Sequence, residues 1–375
     1  MSPAVLHVAQ PRDGGVARYV VAACRDQMAR GWRVAVACPD GGRLAADLAA
    51  AGVPRLHWPA VRSPGPESLG EALRLRALAD RVRPDVIHLH ASKAGLAGRL
   101  RPPRRVPILF QPHGWSWLAT AGPVRVASLA WERAAARWTD LLLCVGHGEA
   151  EQGRSHGVRG RYAVVHNGVD LDHFAPAGAV ARAAARERLG LPGRGPLAVC
   201  VGRLTWQKGQ DVLLAAWPLV RRSCPGARLA LVGNGDQVAA LRAVAGPGVT
   251  FAGAVDDVRD WLAAADVVVL PSRWEGLSLT VLEALATGRS VVVSDVPGLG
   301  DVVTPGVGER VPPGDPSALA EAVARRLSCP ALAREEGEAA AGHAAAFDAR
   351  LTFERLATRT AALPFQPPRR HPQKD

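Results

Sequence analysis

A chain of 375 residues exceeds one ordinary domain and suits two, each large enough for its own core. Its 48% hydrophobic content excludes a disordered protein. The formal net charge of +12 is uneven, with 23 Lys and Arg against 13 Asp and Glu in residues 1–170 and 23 against 21 in the remainder, so a basic first half could meet nucleic acid, an anionic membrane surface or an anionic substrate.

In chain order, short apolar runs predict strands at residues 4–9, 33–38, 54–58, 85–90, 106–111, 140–145 and 161–166. Helical patterns such as 16–30 and 69–82 separate most of them. Apolar strands alternating with helices imply a parallel sheet covered on both faces. A polar, Ala-rich segment at 175–195 follows, and a second cycle places strands near 197–201, 228–232, 249–252, 266–270 and 290–294. Beyond Asp315 the pattern is helical, and the Pro-, Arg- and His-containing end, 366–375, reads as disordered. The expected organisation is α/β, with two doubly wound, Rossmann-like domains at 1–174 and 175–350, a helical segment at 351–365 and a tail at 366–375.

No stretch approaches the ~18–20 uncharged apolar residues of a membrane span. Met1-Ser-Pro3 leads directly into a strand-like segment without a basic or long apolar region, so no signal peptide is read and a cytoplasmic location is expected. The six cysteines, at 24, 38, 144, 200, 224 and 329, are scattered, with no C-x-x-C, which points to a reducing compartment and away from a structural zinc. No nucleic-acid-binding module is present and the cations are spread over several elements, so nucleic acid is the poorest of the three partners.

The richest segment is Pro271-Ser-Arg-Trp-Glu-Gly-Leu-Ser-Leu-Thr-Val-Leu-Glu283, which follows a predicted strand and enters a helix. Such strand–loop–helix turns lie at the carboxyl edge of an α/β sheet, where free amides of the helix start favour an anion. Glu275 precedes the helix and Glu283 lies inside it, so two carboxylates can meet different parts of one elongated ligand. Composition sharpens the other motifs. The chain has 43 Arg but three Lys, and only two Asn, Asn167 and Asn234. Lys208 closes Gly202-Arg-Leu-Thr-Trp-Gln-Lys-Gly209, directly after a buried strand, where Arg203 and Lys208 could neutralise a diphosphate or simply be solvated. Both Asn precede Gly, in His166-Asn-Gly-Val-Asp170 and Val232-Gly-Asn-Gly-Asp236, which is also a plain turn signal. Gly14 and Gly15 follow the first strand, and His113 ends a strand before Gly-Trp-Ser-Trp.

Taken in order, the Gly14-Gly15 loop, His113-Gly114, the Asn167 turn, the Gly-Arg-Leu to Lys-Gly loop, Val232-Gly-Asn-Gly and the Glu275-x7-Glu283 segment resemble the family 4 glycosyltransferases of the GT-B fold, over roughly residues 4–350. The resemblance implies two Rossmann-like domains facing across a cleft, with the last helix crossing back to the first. It implies retaining transfer from a nucleotide diphosphate sugar, UDP- or GDP-linked, used as co-substrate with no other cofactor and no metal. Arg203, Lys208 and the amides of Gly276, Leu277, Ser278 and Leu279 would take the leaving-group charge. Glu275 would hold the donor sugar, Glu283 the ribose, and the segment from Phe251 to Val255 would frame the base. His113 would lie beside the sugar, Gly14 and Gly15 would close over the diphosphate, and Asn234 joins the donor site. Catalytic roles therefore fall to His113, Glu275, Arg203 and Lys208.

Other motifs read more plainly. Asp170-Leu-Asp172 matches a metal-binding D-x-D, but it follows a turn at the domain junction. His88-Leu-His90 has no carboxylate or Cys partner nearby at ligand spacing, so two strand-end histidines are the simpler reading. Trp115 and Trp117 offer flat faces for a sugar or lipid-linked acceptor, or pack the interdomain cleft. The expected acceptor is a glycan or lipid-linked molecule in bacterial cell-envelope or exopolysaccharide assembly, with peripheral contact to the anionic inner face of the membrane. A soluble natural product is the alternative. From other classes, a nucleotide-sugar 2-epimerase and a non-catalytic nucleotide-sugar-binding protein compete.

Overall fold

The computed structural model describes residues 2–103, 106–191 and 195–364. The predicted tail at 366–375 lies outside them. The chain divides into two compact units, one comprising residues up to Val145, Ala150–Val165 and the chain from Phe353, the other Gly146–Glu149 and His166–Thr352.

Each unit is built on a parallel sheet. In the first, β1 (Ala4–Ala9), β2 (Arg33–Cys38), β3 (Arg55–His57), β4 (Val86–His90), β5 (Ile108–Gln111), β6 (Leu141–Cys144) and β7 (Tyr162–Val164) pair in the order β3-β2-β1-β4-β5-β6-β7. The chain runs outward from β1 in one direction, then returns to lay β4 on the other side, so the strand order reverses between β1 and β4. Every residue of β1 and of β4 is buried. Burial on both faces explains their continuous apolar runs; His7, His88 and His90 are the polar exceptions, each fully buried.

In the second unit β8 (Leu197–Val201), β9 (Arg228–Val232), β10 (Val249–Gly253), β11 (Val267–Leu270), β12 (Ser290–Ser294) and β13 (Gly308–Val311) pair in the order β10-β9-β8-β11-β12-β13, reversing between β8 and β11. The edge strand β13 escapes prediction because Gly-Glu-Arg-Val lacks an apolar run; its one neighbouring strand in the sheet is β12. The helix Gln210–Ser223 buries Val212, Leu213, Ala216, Trp217 and Val220, a stripe at helical spacing facing the sheet.

Within the Ala-rich stretch, residues Ala179–Arg188 form a helix whose Arg186 donates to Ala264 O at 2.9 Å and to Asp266 at 2.8 Å. The change-over expected near residue 174 sits between Val165 and His166. The following turn is held by the second unit, because Asn167 Nδ2 donates to Leu277 O at 2.7 Å and Val169 N to Phe347 O at 2.8 Å. The last helix, Ala349–Ala361, enters the first unit at Phe353, whose ring lies 5.6 Å from that of Tyr19. All six cysteines are free thiols, and no helix among the described residues is long and apolar enough to cross a membrane.

Candidate active site

In the second unit the loops after β8 and β11 meet where the strand order reverses, the place at which open α/β sheets bind ligands. Gly209 makes the meeting possible. Its φ is 66°, and a Cβ there would lie 2.0 Å from Pro271 O, so only glycine lets the two backbones touch. The contact delivers Lys208 Nζ to Glu275 Oε1 at 2.5 Å, and Ser272 Oγ donates to the same oxygen at 2.6 Å. Both partners are largely withdrawn from water, with side-chain exposures of 17% for Lys208 and 6% for Glu275. A second bridge locks the same loops. Arg273 makes a two-pronged bond to Asp211 at 2.8 and 2.6 Å, donates to Trp206 O, and lies 3.3 Å from the centre of the Trp206 ring. Desolvation pushes the Asp211 carboxyl up, yet its bonds to Arg273 hold it below the usual carboxylate range.

The helix Leu279–Ala286 begins beside this pair, with Ser278 as its N-cap. Gly276, Leu277 and Ser278 are buried and Leu279 half-buried, so their amides sit at a helix start sheltered from water. Asn167, whose Asn-Gly context suggested only a turn, fixes this loop through Leu277 O. Glu283 lies 4% exposed inside that helix, so Glu275 precedes the helix and Glu283 occupies it, as the spacing predicts.

The remaining donor-side candidates take different positions. Arg203 is exposed on the β8 loop; its Nη2 donates to Gln207 at 3.3 Å and its carbonyl accepts from Gln210 at 3.0 Å. Lys208, not Arg203, engages Glu275. Asn234 shapes its own turn, its Oδ1 accepting from Gly235 N at 2.8 Å and its carbonyl from Leu204 N at 3.0 Å. The neighbouring Gly233 approaches Gly202 so closely that a Cβ would lie 1.9 Å from Gly202 O. Phe251 packs on the core of this unit beneath Arg242, whose guanidinium lies 4.8 Å from the ring centre, and Val255 follows in the loop after β10. The Phe251 ring is half-buried there.

In the first unit, Gly14 is the N-cap of the helix Gly15–Ala29 with φ 88°, and both glycines are exposed. His113 follows β5 with φ 52°, a left-handed conformation uncommon outside glycine. Its Nε2 lies 3.2 Å from His90 Nδ1, His90 Nε2 lies 2.9 Å from His7 Nδ1, and His7 Nε2 lies 2.9 Å from Gln27 Oε1. Desolvation lowers His7 to about 4 and His113 to about 3, and drives His88 and His90 well below the ordinary value. These rings are neutral at physiological pH.

Of the histidine pair on β4, His90 ends the strand as expected and His88 lies within it. His88 and His90 are fully buried and joined by His7 of β1, which the strand register places opposite His88. A lone polar residue inside Ala-Val-Leu-His-Val-Ala was the signal available in the sequence. Trp115 and Trp117 are each 1% exposed and stack on one another at 4.7 Å, so they pack the core instead of presenting faces to a ligand. Asp170 caps its own turn, accepting from the amides of Asp172 and His173 at 3.0 and 3.1 Å.

Two family models match the chain: "Glycosyltransferase Family 4" over residues 13–173 and "Glycosyl transferases group 1" over residues 195–329. The D-inositol 3-phosphate glycosyltransferase 2 of Catenulispora acidiphila is 35% identical over 302 residues, covering 73% of this chain and 70% of that protein. The chain belongs to the family 4 glycosyltransferases. A D-inositol 3-phosphate glycosyltransferase of Streptomyces avermitilis is 33% identical to this glycosyltransferase over 289 residues, 70% of the chain, which spans only 62% of that relative's length. Among solved structures, Anabaena Alr3699/HepE in complex with UDP-glucose superposes with a TM-score of 0.82 at 21% identity, covering 96% of this chain and 99% of that one. At that identity the likeness establishes the GT-B fold, in keeping with the two parallel sheets found here.

Proposed function

We propose that this glycosyltransferase moves a sugar from a nucleoside diphosphate sugar, UDP- or GDP-linked, to an acceptor hydroxyl with retention of anomeric configuration. The observation that carries the reading is the Lys208–Glu275 pair, held at a strand-order reversal beside the start of the helix Leu279–Ala286. As the sugar–phosphate bond breaks, negative charge gathers on the departing diphosphate and positive charge on the sugar ring. Fixed charges and dipoles stabilise both without reorganising. Lys208, Arg203 and the amides of Gly276, Leu277, Ser278 and Leu279 take the diphosphate charge, so no divalent ion is assigned. Glu275 holds Lys208 in place before the donor arrives and bonds the sugar hydroxyls once it has. Glu283 accepts from the ribose, the backbone from Phe251 to Val255 meets the base, and Asn234 shapes the adjoining turn. For His113, Gly14 and Gly15 of the first unit, the roles are those that the resemblance implies, beside the sugar and over the diphosphate.

For the acceptor, the excess of 23 basic over 13 acidic residues in residues 1–170 supports an anionic molecule. A lipid-linked or glycan acceptor in envelope or exopolysaccharide assembly, reached from the cytoplasmic face of the membrane, is the first reading. A soluble phosphorylated acceptor is the second, favoured by the names of the two relatives. A panel of UDP- and GDP-sugars, each offered with inositol phosphate or with a lipid-linked diphosphate in vesicles, decides between them by nucleoside diphosphate release and by the anomeric configuration of the product. An inverted product, or no release with any pairing, would remove the proposal.

A further inference from the structure

Of the buried polar line in the first unit, only its last member, His113, enters the donor chemistry above. It runs from Gln27 on the helix Gly15–Ala29, through His7 on β1 and His90 on β4, to His113 after β5, with separations of 2.9, 2.9 and 3.2 Å. Gln27, His7 and His90 are fully buried. Each neutral imidazole carries one N–H and one lone pair, so choosing the donor nitrogen of one ring dictates that of the next.

We propose that Gln27, His7 and His90 are positioning residues that determine which ring nitrogen of His113 bears its proton. Gln27 turns its amide oxygen toward His7, so His7 Nε2–H donates to it and His7 Nδ1 is left to accept. His90 Nε2–H then donates to His7 Nδ1, and His113 Nε2–H donates to His90 Nδ1. Each ring is the Nε2–H tautomer, and His113 Nδ1 keeps its lone pair, suited to accept from a sugar hydroxyl. Among the rings burial favours this order, since a misdirected ring N–H would be stranded away from water as the Gln27 Nε2 amide already is. His113 itself takes a left-handed backbone, φ 52°, on leaving β5. His88 stands beside the line, its Nε2 bonded to Gln111 Oε1 at 3.0 Å. Nitrogens of His7, His88 and His90 lie within 4.8 Å of one another, a ligand-like grouping. A cation taking either nitrogen of the 2.9 Å contact between His7 and His90 would break it, and with it the line to His113.

The catalytic consequence rests on assigning His113 to the reacting sugar; the tautomer does not. The test is therefore spectroscopic first. In the full chain labelled with ¹⁵N-histidine, long-range ¹H–¹⁵N correlation should show His113 protonated at Nε2, with the signal assigned by its loss in His113→Asn. Gln27→Leu removes the acceptor, so the line should reverse and His113 should become protonated at Nδ1; Gln27→Met repeats the test should the leucine variant not fold. Gln27→Glu, which keeps an acceptor oxygen, should retain the original tautomer. In parallel, Gln27→Leu should lower kcat by about ten- to a hundredfold with little change in KM for the donor, the range for loss of a histidine's outer partner, and Gln27→Glu should largely restore it. An unchanged His113 tautomer in Gln27→Leu overturns the proposal, as does stoichiometric zinc binding lost in His88→Asn, which would make the cluster a metal site. A reversed tautomer with unchanged kcat would uphold the line and remove His113 from the chemistry.

Discussion

The two sheets reverse their strand order in the same way, between β1 and β4 and between β8 and β11, yet they place opposite electrostatics at the reversal. In the first unit the groups are imidazoles, fully buried, desolvated and neutral. In the second they are ions: Lys208 with Glu275, and Arg273 with Asp211. Topology selects where a ligand can bind, and side chains select what can be done there. A neutral buried line suits orientation and proton placement, whereas paired ions beside a helix start suit a departing diphosphate.

The contrast can be broken most forcefully at Lys208. Lys208→Ala should lower turnover by about 10²–10³, the size of losing one charge stabiliser in the transition state. It also leaves Glu275 without its cation in a buried place, so the melting temperature should fall and recover in the double variant with Glu275→Gln while turnover does not. Near-normal rates for both Lys208→Ala and Arg203→Ala would end the ionic reading of this site.

The neutral line should reveal itself in acid. His7 has an ordinary value of 6.5 and a folded value of about 4, so below 6.5 the unfolded chain takes up a proton that the folded chain refuses. Its contribution is complete above pH 6.5 and shrinks as pH falls toward 4, by about 1.4 kcal/mol per pH unit, with the other buried rings adding in the same direction. Denaturant midpoints measured between pH 7 and 4.5 test this, and His7→Phe should flatten the profile. An equally steep profile in that variant would move the acid sensitivity elsewhere.

A smaller effect separates the two carboxylates. Glu283→Gln should weaken binding of the free nucleoside diphosphate by roughly 1.5–3 kcal/mol, whereas Glu275→Gln should leave that ligand nearly untouched and lower the chemical rate. Calorimetry with the nucleoside diphosphate decides, because it has ribose and no sugar; the opposite pattern would exchange the assignments. The smallest expected change is none at all. Turnover should survive a strong chelator, and loss restored by manganese or magnesium would show that a metal, not Lys208 and the amides, balances the leaving group.

Much of this was legible before folding because it is local. Apolar runs alternating with helical stripes indicate two parallel sheets, and Glu275, Lys208 and Gly209 sit in loops, with Glu283 in the helix that follows one, whose strand–loop–helix setting is visible in the sequence. Where reading failed, the reason was local too. The edge strand β13 offers no apolar run, and Trp115 and Trp117 carry the same apolar faces whether they meet a ligand or each other.

By itself the sequence determined the class of fold, the order of its elements and the loops that carry charge, since periodicity and turn chemistry act between near neighbours. Tertiary structure alone decided the pairings. Lys208 meets Glu275 because Gly209 lets two backbones touch, Arg273 finds Asp211 across the same contact, and Asn167 reaches Leu277 from a distant turn. His7 joins His90 across 83 residues because the parallel register of β1 and β4 sets their rings side by side in a dry interior. Hydrogen bonds and ion pairs depend on ångström-scale placement, and that placement exists only once the strands have chosen their neighbours.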